Sequence, residues 1–254
     1  MKKIIFFLSF LGLFPVSSFA QDDLFGTAKK EPRKGIMIGV NGNFDIPLAD
    51  MANRFGLSYR LGPSLQYKTK SNWIIGAKAD FIFGDKIKED SLMANVNTNE
   101  GMISVSGFRT HPNVFQRGYA IGLQVGKIFN IAKQNSDNGI IATATVGFMQ
   151  HKILITNEDG QLPQVSGDYR KGYDRLTNGV FVEPYIGYIY LANNGLINFH
   201  IGLDAMVGFT QGRREYLFDV QKPGNEKRMD ILFGVKGGWY IPIFKRKSEE
   251  FFFE

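Results

Sequence analysis

From Asn198 to Gln211 the chain alternates without a break. Phe199, Ile201, Leu203, Ala205, Val207 and Phe209 are apolar, and between them stand Asn198, His200, Gly202, Asp204, Met206, Gly208 and Thr210. A period of two is that of a β-strand with one oily and one polar face. Strands of soluble sandwiches alternate too, but usually over about 5–6 residues. This stretch has the length that a tilted strand needs to cross a bilayer, about 9–11 residues. If the oily face meets lipid, the polar face lines the interior of a barrel.

Similar patterns recur along the chain and predict strands at residues 35–46, 55–69, 73–83, 114–129, 139–153, 179–191 and 229–244, beside the one at 198–211. In the first of them Ile36, Ile38, Val40, Phe44 and Ile46 point one way, and Met37, Gly39, Asn41, Asn43 and Asp45 the other. The connections alternate in length. Lys70-Ser71-Asn72, the stretch from Ile131 to Asn138, and Asn193-Asn194-Gly195 are short, whereas 85–113 and 154–178 are long and polar. Within the first long loop, Met102 to Gly107 is expected to extend a strand above the membrane.

Short turns on one side and long loops on the other are the pattern of a bacterial outer-membrane barrel, in which an even strand number returns both termini to the periplasm. The fold expected is therefore all-β, an eight-stranded antiparallel up-and-down transmembrane β-barrel. Asn95 and Gly172 should face outside, and Ser71 and Asn194 the periplasm. Tyr67, Trp73, Tyr188, Tyr190, Trp239 and Phe244 fall toward the periplasmic ends, and Phe44, Phe81, Phe83, Phe148, Phe209 and Phe233 toward the outer ends, as two interfacial girdles require.

Composition narrows the alternatives. After the first twenty residues no run is apolar for the about 18 residues that a membrane helix needs. The 29 glycines and 23 phenylalanines suit long, bending strands with aromatic ends. With no cysteine, a disulfide frame, a thiol nucleophile and a Cys zinc site are all excluded. Lys2 and Lys3, the apolar run Ile4 to Phe14 and Ser18-Phe19-Ala20 form an export signal, so residues 1–20 are expected to be removed before Gln21. Their loss takes away two lysines and no acid, lowering the net charge from +6 to +4, too weak a balance to argue for nucleic acid. Residues 21–34 and 245–254 read as periplasmic tails flanking a barrel at 35–244.

A soluble lipocalin-type barrel shares strand number and alternation. Its polar face meets water and carries many charges, whereas here that face is sparse in charge and rich in glycine, which suits a crowded lumen. The exported eight-strand pattern, ending in Arg228-Met229-Asp230-Ile231-Leu232-Phe233-Gly234-Val235-Lys236-Gly237-Gly238-Trp239-Tyr240-Ile241-Pro242-Ile243, resembles the small outer-membrane β-barrel proteins of Bacteroidota, the PorT-like group. The resemblance implies an envelope barrel. One PorT-type member belongs to a secretion apparatus, and shape alone does not carry that role over.

Candidate chemistry is limited. His111, His151 and His200 have little acidic company, so no metal site or cofactor is expected; His200 reads as a hydrogen-bonded lumen residue and the others as loop-end residues. A lipid-modifying barrel would need a Ser–His pair near the outer leaflet, and no spacing ties His151 to Ser104, Ser106 or Ser166. Asp168, Tyr169, Arg170, Tyr173, Asp174 and Arg175 are the candidate extracellular recognition loop, because Tyr and Arg are favoured at binding hot spots; a self-packed cap over the barrel is the competing expectation. In the lumen, Arg60, Lys78 and Lys236 face Asp80, Glu183 and Asp204, three of each sign, and are expected to pair as a structural ion network. The functional expectation is a non-catalytic barrel contacting outer-membrane lipid and an envelope protein partner, within a secretion or assembly complex or outside one. A small-solute channel and a lipid-modifying enzyme are the alternatives.

Overall fold

The computed structural model describes residues 32–89, 91–98, 100–131, 136–157, 162–192 and 197–244. The expected export signal, most of the N-terminal tail, the tail 245–254 and the Asn193-Asn194-Gly195 turn lie outside these residues. Eight antiparallel strands form a closed ring: β1 (Gly35–Ala49), β2 (Ser58–Lys68), β3 (Trp73–Gly84), β4 (Asn113–Asn130), β5 (Gly139–Thr156), β6 (Thr177–Leu191), β7 (Asn198–Gly212) and β8 (Lys227–Phe244). Each strand pairs with its chain neighbours. β1 closes the ring on β8 in a register running from Gly35 opposite Phe244 to Ala49 opposite Asp230. Closure satisfies every edge, the condition a sheet must meet if it is to sit in hydrocarbon.

The outward positions explain the exterior. Among the described residues they carry charge only near strand ends, at Arg117, Lys127, Lys152 and Lys227. Everything between is an apolar band in which, for example, Leu203 and Val235 are cross-strand partners. Arg117 lies over the Phe115 ring and Lys127 over that of Trp73, so their long stems cover apolar surface while the charges reach the strand ends. Tyr190, Phe199 and Trp239 are register partners across β6, β7 and β8 near the short turns. Phe44, Tyr59 and Phe83 are partners across β1, β2 and β3 near the long loops.

The interior departs from the expected uniformly polar face. It is layered along the barrel axis. Toward the short turns Met37, Ile74, Ile128, Ile141, Tyr185, Ile189, Leu191 and Tyr240 form an apolar plug. Toward the long loops Ile82, Ala120, Met149, Phe181, Met206 and Leu232 form another, continuous with Met51, Phe55, Met93, Met102, Leu162, Val165 and Tyr173 of the loops. A layer of charge lies between them, and further buried pairs lie beyond each plug, Lys68 with Asp137 at the short-turn end and Asp230 with His151 toward the long loops. The physical reason is that the loops fold over the mouth, so the inward side chains beneath them meet other side chains and not water. Gly39 and Gly238 make room for the lower layer. A Cβ at Gly39 would lie 2.5 Å from the Tyr240 ring, and one at Gly238 2.7 Å from Asn41 Oδ1.

The loops bring two corrections. Met102–Ile103 pairs with Arg109–Thr110 as a separate hairpin and extends no barrel strand, because Gly107 turns the chain back at positive φ. Gly172 shares the long-loop end with Asn95, while Ser71 lies at the short-turn end; Gly172 itself is buried, with Phe218 packed where a side chain would go.

Candidate functional site

The central lumen gathers six of the charges singled out by sequence. Arg60 reaches from β2 across the barrel, with Nη1 3.2 Å from Glu183 Oε2 and Nη2 2.8 Å from Asp204 Oδ2. Lys78 Nζ donates to Glu183 Oε1 at 2.6 Å and lies 2.7 Å from Asp80 Oδ2, and Lys236 Nζ donates to Glu183 Oε1 at 3.0 Å. One carboxylate thus faces three cations. The expected balance of three against three needs amendment, because Asp45 accepts from Arg60 Nε at 2.7 Å and from Nη2 at 2.9 Å. Asp45 alternates inward like the others; its place near the end of β1 hid it, but the register sets it opposite Ser58, one inward position from Arg60 on the neighbouring strand. Asn43 Nδ2 donates to Asp204 Oδ2 at 2.9 Å and shares the excess negative charge.

Below this layer His200 is a lumen residue held on both ring nitrogens. Nε2 donates to Asn41 Oδ1 at 2.9 Å, which leaves Nδ1 to accept from the Tyr185 hydroxyl at 2.7 Å. Tyr240 stacks on the ring with centroids 5.0 Å apart. Above it His151, expected at a loop end, is instead fully buried. Its Nε2 donates to Asp230 Oδ2 at 2.9 Å, and Thr210 donates to the same oxygen at 2.6 Å. Ser104 and Ser166 spend their hydroxyls locally, Ser104 Oγ accepting from Phe108 N and Ser166 Oγ donating to Leu162 O. The Ser–His arrangement a lipid-modifying barrel would need is not assembled by these groups.

At the mouth the recognition-loop candidates divide. Tyr173 is buried against Phe218, Asp174 accepts from Arg214 Nη2 at 2.5 Å, and Arg175 donates to Glu89 at 2.6 Å and to Asp219 at 2.7 Å. These three tie the loops together and present little to solvent. Burial pulls the Arg175 guanidinium down, but Asp219 and Glu89 more than offset it and hold it above its ordinary value. Asp168, Tyr169 and Arg170 are exposed, and the hydrogen bond and charge of Lys171 lower the Asp168 carboxyl. Sequence reasoning missed Asp230, Arg228, Arg54, Glu89 and Asp219 at this end. Only Asp230 and Arg228 carried a signal, as inward positions of β8; the others come from loops, whose paths no periodicity reports.

No protein-family model matches the chain, and no curated protein sequence matches it. Solved structures are similar in outline. The attachment invasion locus protein of Yersinia pestis shares 10% identity at a TM-score of 0.45, covering 82% of this chain and 98% of that one. Neisserial surface protein A shares 8% identity at 0.46, covering 82% and 97%. The outer membrane protein OprG of Pseudomonas aeruginosa shares 10% at 0.34, covering 84% and 97%. The likeness is one of general shape, and the fold assignment stands on the strand registers.

Proposed function

We propose that this chain is an outer-membrane β-barrel acting as a non-catalytic, partner-binding structural component of the envelope, with its long loops outside. The narrower likeness to the PorT-like group is part of this proposal and rests on the C-terminal sequence pattern. The observation that carries the reading is the filled lumen. Two apolar plugs enclose an ion layer whose longest member, Arg60, is 1% exposed, so no continuous wet path favours transport. Activity is then left to surfaces. Ile103, Val105, Phe108 and Tyr169 stand on the long loops with 59%, 73%, 75% and 65% of their surface free, which suits contact with a protein.

A mild-detergent co-purification tests this reading. A stoichiometric envelope partner should be recovered with wild type and lost with Phe108→Asp; equal recovery with that variant would remove the loop hairpin from the proposal. In planar bilayers the purified protein should show no steady conductance. Reproducible unitary openings, altered in size by Lys236→Met, would promote the channel reading instead.

A further inference from the structure

Where the ends of β6, β7 and β8 meet the folded loops, a small recess is lined by Arg54, Arg175, Thr177, Leu217, Glu226 and Arg228 among others. Three guanidiniums converge here from three directions: the short helix after β1, the turn before β6 and the start of β8. Each is aimed. Arg54 Nη1 donates to Thr177 Oγ1 at 3.1 Å, and that hydroxyl in turn donates to Arg175 O at 2.9 Å. Arg175 is fixed by Glu89 and Asp219, and Arg228 Nη2 donates to Asp50 O at 2.7 Å and lies 3.2 Å from Asp230 Oδ1.

Two donors are left over. Arg175 Nη1 and Arg228 Nε are buried with no hydrogen-bond partner among the described residues, and Arg175 itself is only 2% exposed. Buried donors are rarely left unpaired, since each costs about 1–3 kcal/mol. The Arg175 backbone is also held at φ 51°, a left-handed conformation that a non-glycine residue adopts at a cost. Burial, and then the charge of Arg228, pull the Arg54 guanidinium down to about 10. The carboxylate on the lining, Glu226, is exposed at the lip.

We propose that this recess binds a tetrahedral oxyanion, a phosphate or phosphate-ester group, entering from the loop side. A guanidinium presents its donors as a planar fork that matches phosphate oxygens. The nitrogens that Thr177, Glu89, Asp219 and Asp50 leave free belong to guanidiniums set in different directions, which suits a tetrahedral dianion better than a planar carboxylate with two oxygens in one plane. The anion supplies acceptors to the two unpaired nitrogens and offsets the repulsion among the arginines. This site stands independently of any protein partner on the loops.

The test uses the full chain folded in detergent, at constant ionic strength with chloride as counter-anion. Inorganic phosphate is titrated and followed by ³¹P line broadening, and in a second arm the lipid phosphomonoester phosphatidic acid is added in mixed micelles against a phosphatidylcholine control. Saturable binding of inorganic phosphate assigns a soluble source. Saturation by phosphatidic acid alone assigns a lipid headgroup. Saturation in neither arm overturns the site and leaves the arginines as loop staples. Arg54→Gln with Arg228→Gln should abolish saturation, and retention in that variant would also overturn the proposal. Should that variant fail to fold, Glu226→Gln decides. Removing a like charge at the lip should tighten phosphate by roughly three- to fivefold, the scale of one charge at a wet rim, and unchanged affinity would overturn the placement.

Discussion

The middle of the lumen and its mouth are built from the same residue types, yet they solve different problems. In the middle, Arg60 directs Nε and both Nη atoms at Asp45, Glu183 and Asp204 inside the ring of strands. At the mouth, arginines from loops and strand ends share Glu89, Asp219 and Asp230, and two of their nitrogens stay unpaired beside a recess. Rigid strands fix the register of every charge, and what they leave over there are acceptors, Asn43 Oδ1, Asp80 Oδ1 and Asp204 Oδ1, where the mouth leaves donors. Loops that must meet over an opening leave gaps. The central network is shut between two apolar layers and behaves as structure, whereas the mouth borders a recess that a ligand can enter.

The largest effect expected from breaking this contrast is Glu183→Gln, which leaves Lys78, Lys236 and Arg60 with one negative charge fewer among them in a buried site. Loss of one partner of a buried charge cluster costs about 3–5 kcal/mol, so the heat-modifiable folded band should be depleted or lost; a stable folded band would show that the three cations are compensated otherwise. Leu203→Arg tests the outside wall of the same strand region. A charge at mid-depth on the lipid face costs about 2–4 kcal/mol, and an unaffected urea midpoint in lipid would mean that this face does not meet hydrocarbon.

At the mouth, Arg228→Gln should cost less, about 1–2 kcal/mol, because Asp230 keeps His151 and Thr210 as donors. A loss as large as that of Glu183→Gln would erase the distinction between the two networks. Smallest of all, Asp168→Asn should leave unfolding unchanged, its pair with Lys171 lying in solvent; a measurable shift would place that turn inside the cap. Orientation sharpens the comparison without a stability cost. Cysteines at Asn95 and Lys171 should label with an impermeant reagent on intact cells and one at Ser71 should not. Lys171 replaces Gly172, whose side chain would strike Phe218.

The sequence by itself determined the wall. Alternation such as Phe199 to Phe209 gives strand, face and length together, because a period of two is a local property and lipid enforces it on every strand. Inward charges on β2, β3, β6, β7 and β8 were legible for the same reason. What only the tertiary structure decided is depth and company: that Asp45 joins Arg60, that His151 meets Asp230, and that Tyr173, Asp174 and Arg175 turn into the cap while Asp168 and Tyr169 stay out. Depth follows from the stagger of strands around a closed ring, and company at the mouth from loops that pack against one another. Both are set by contacts between residues far apart in the chain, which no local pattern records.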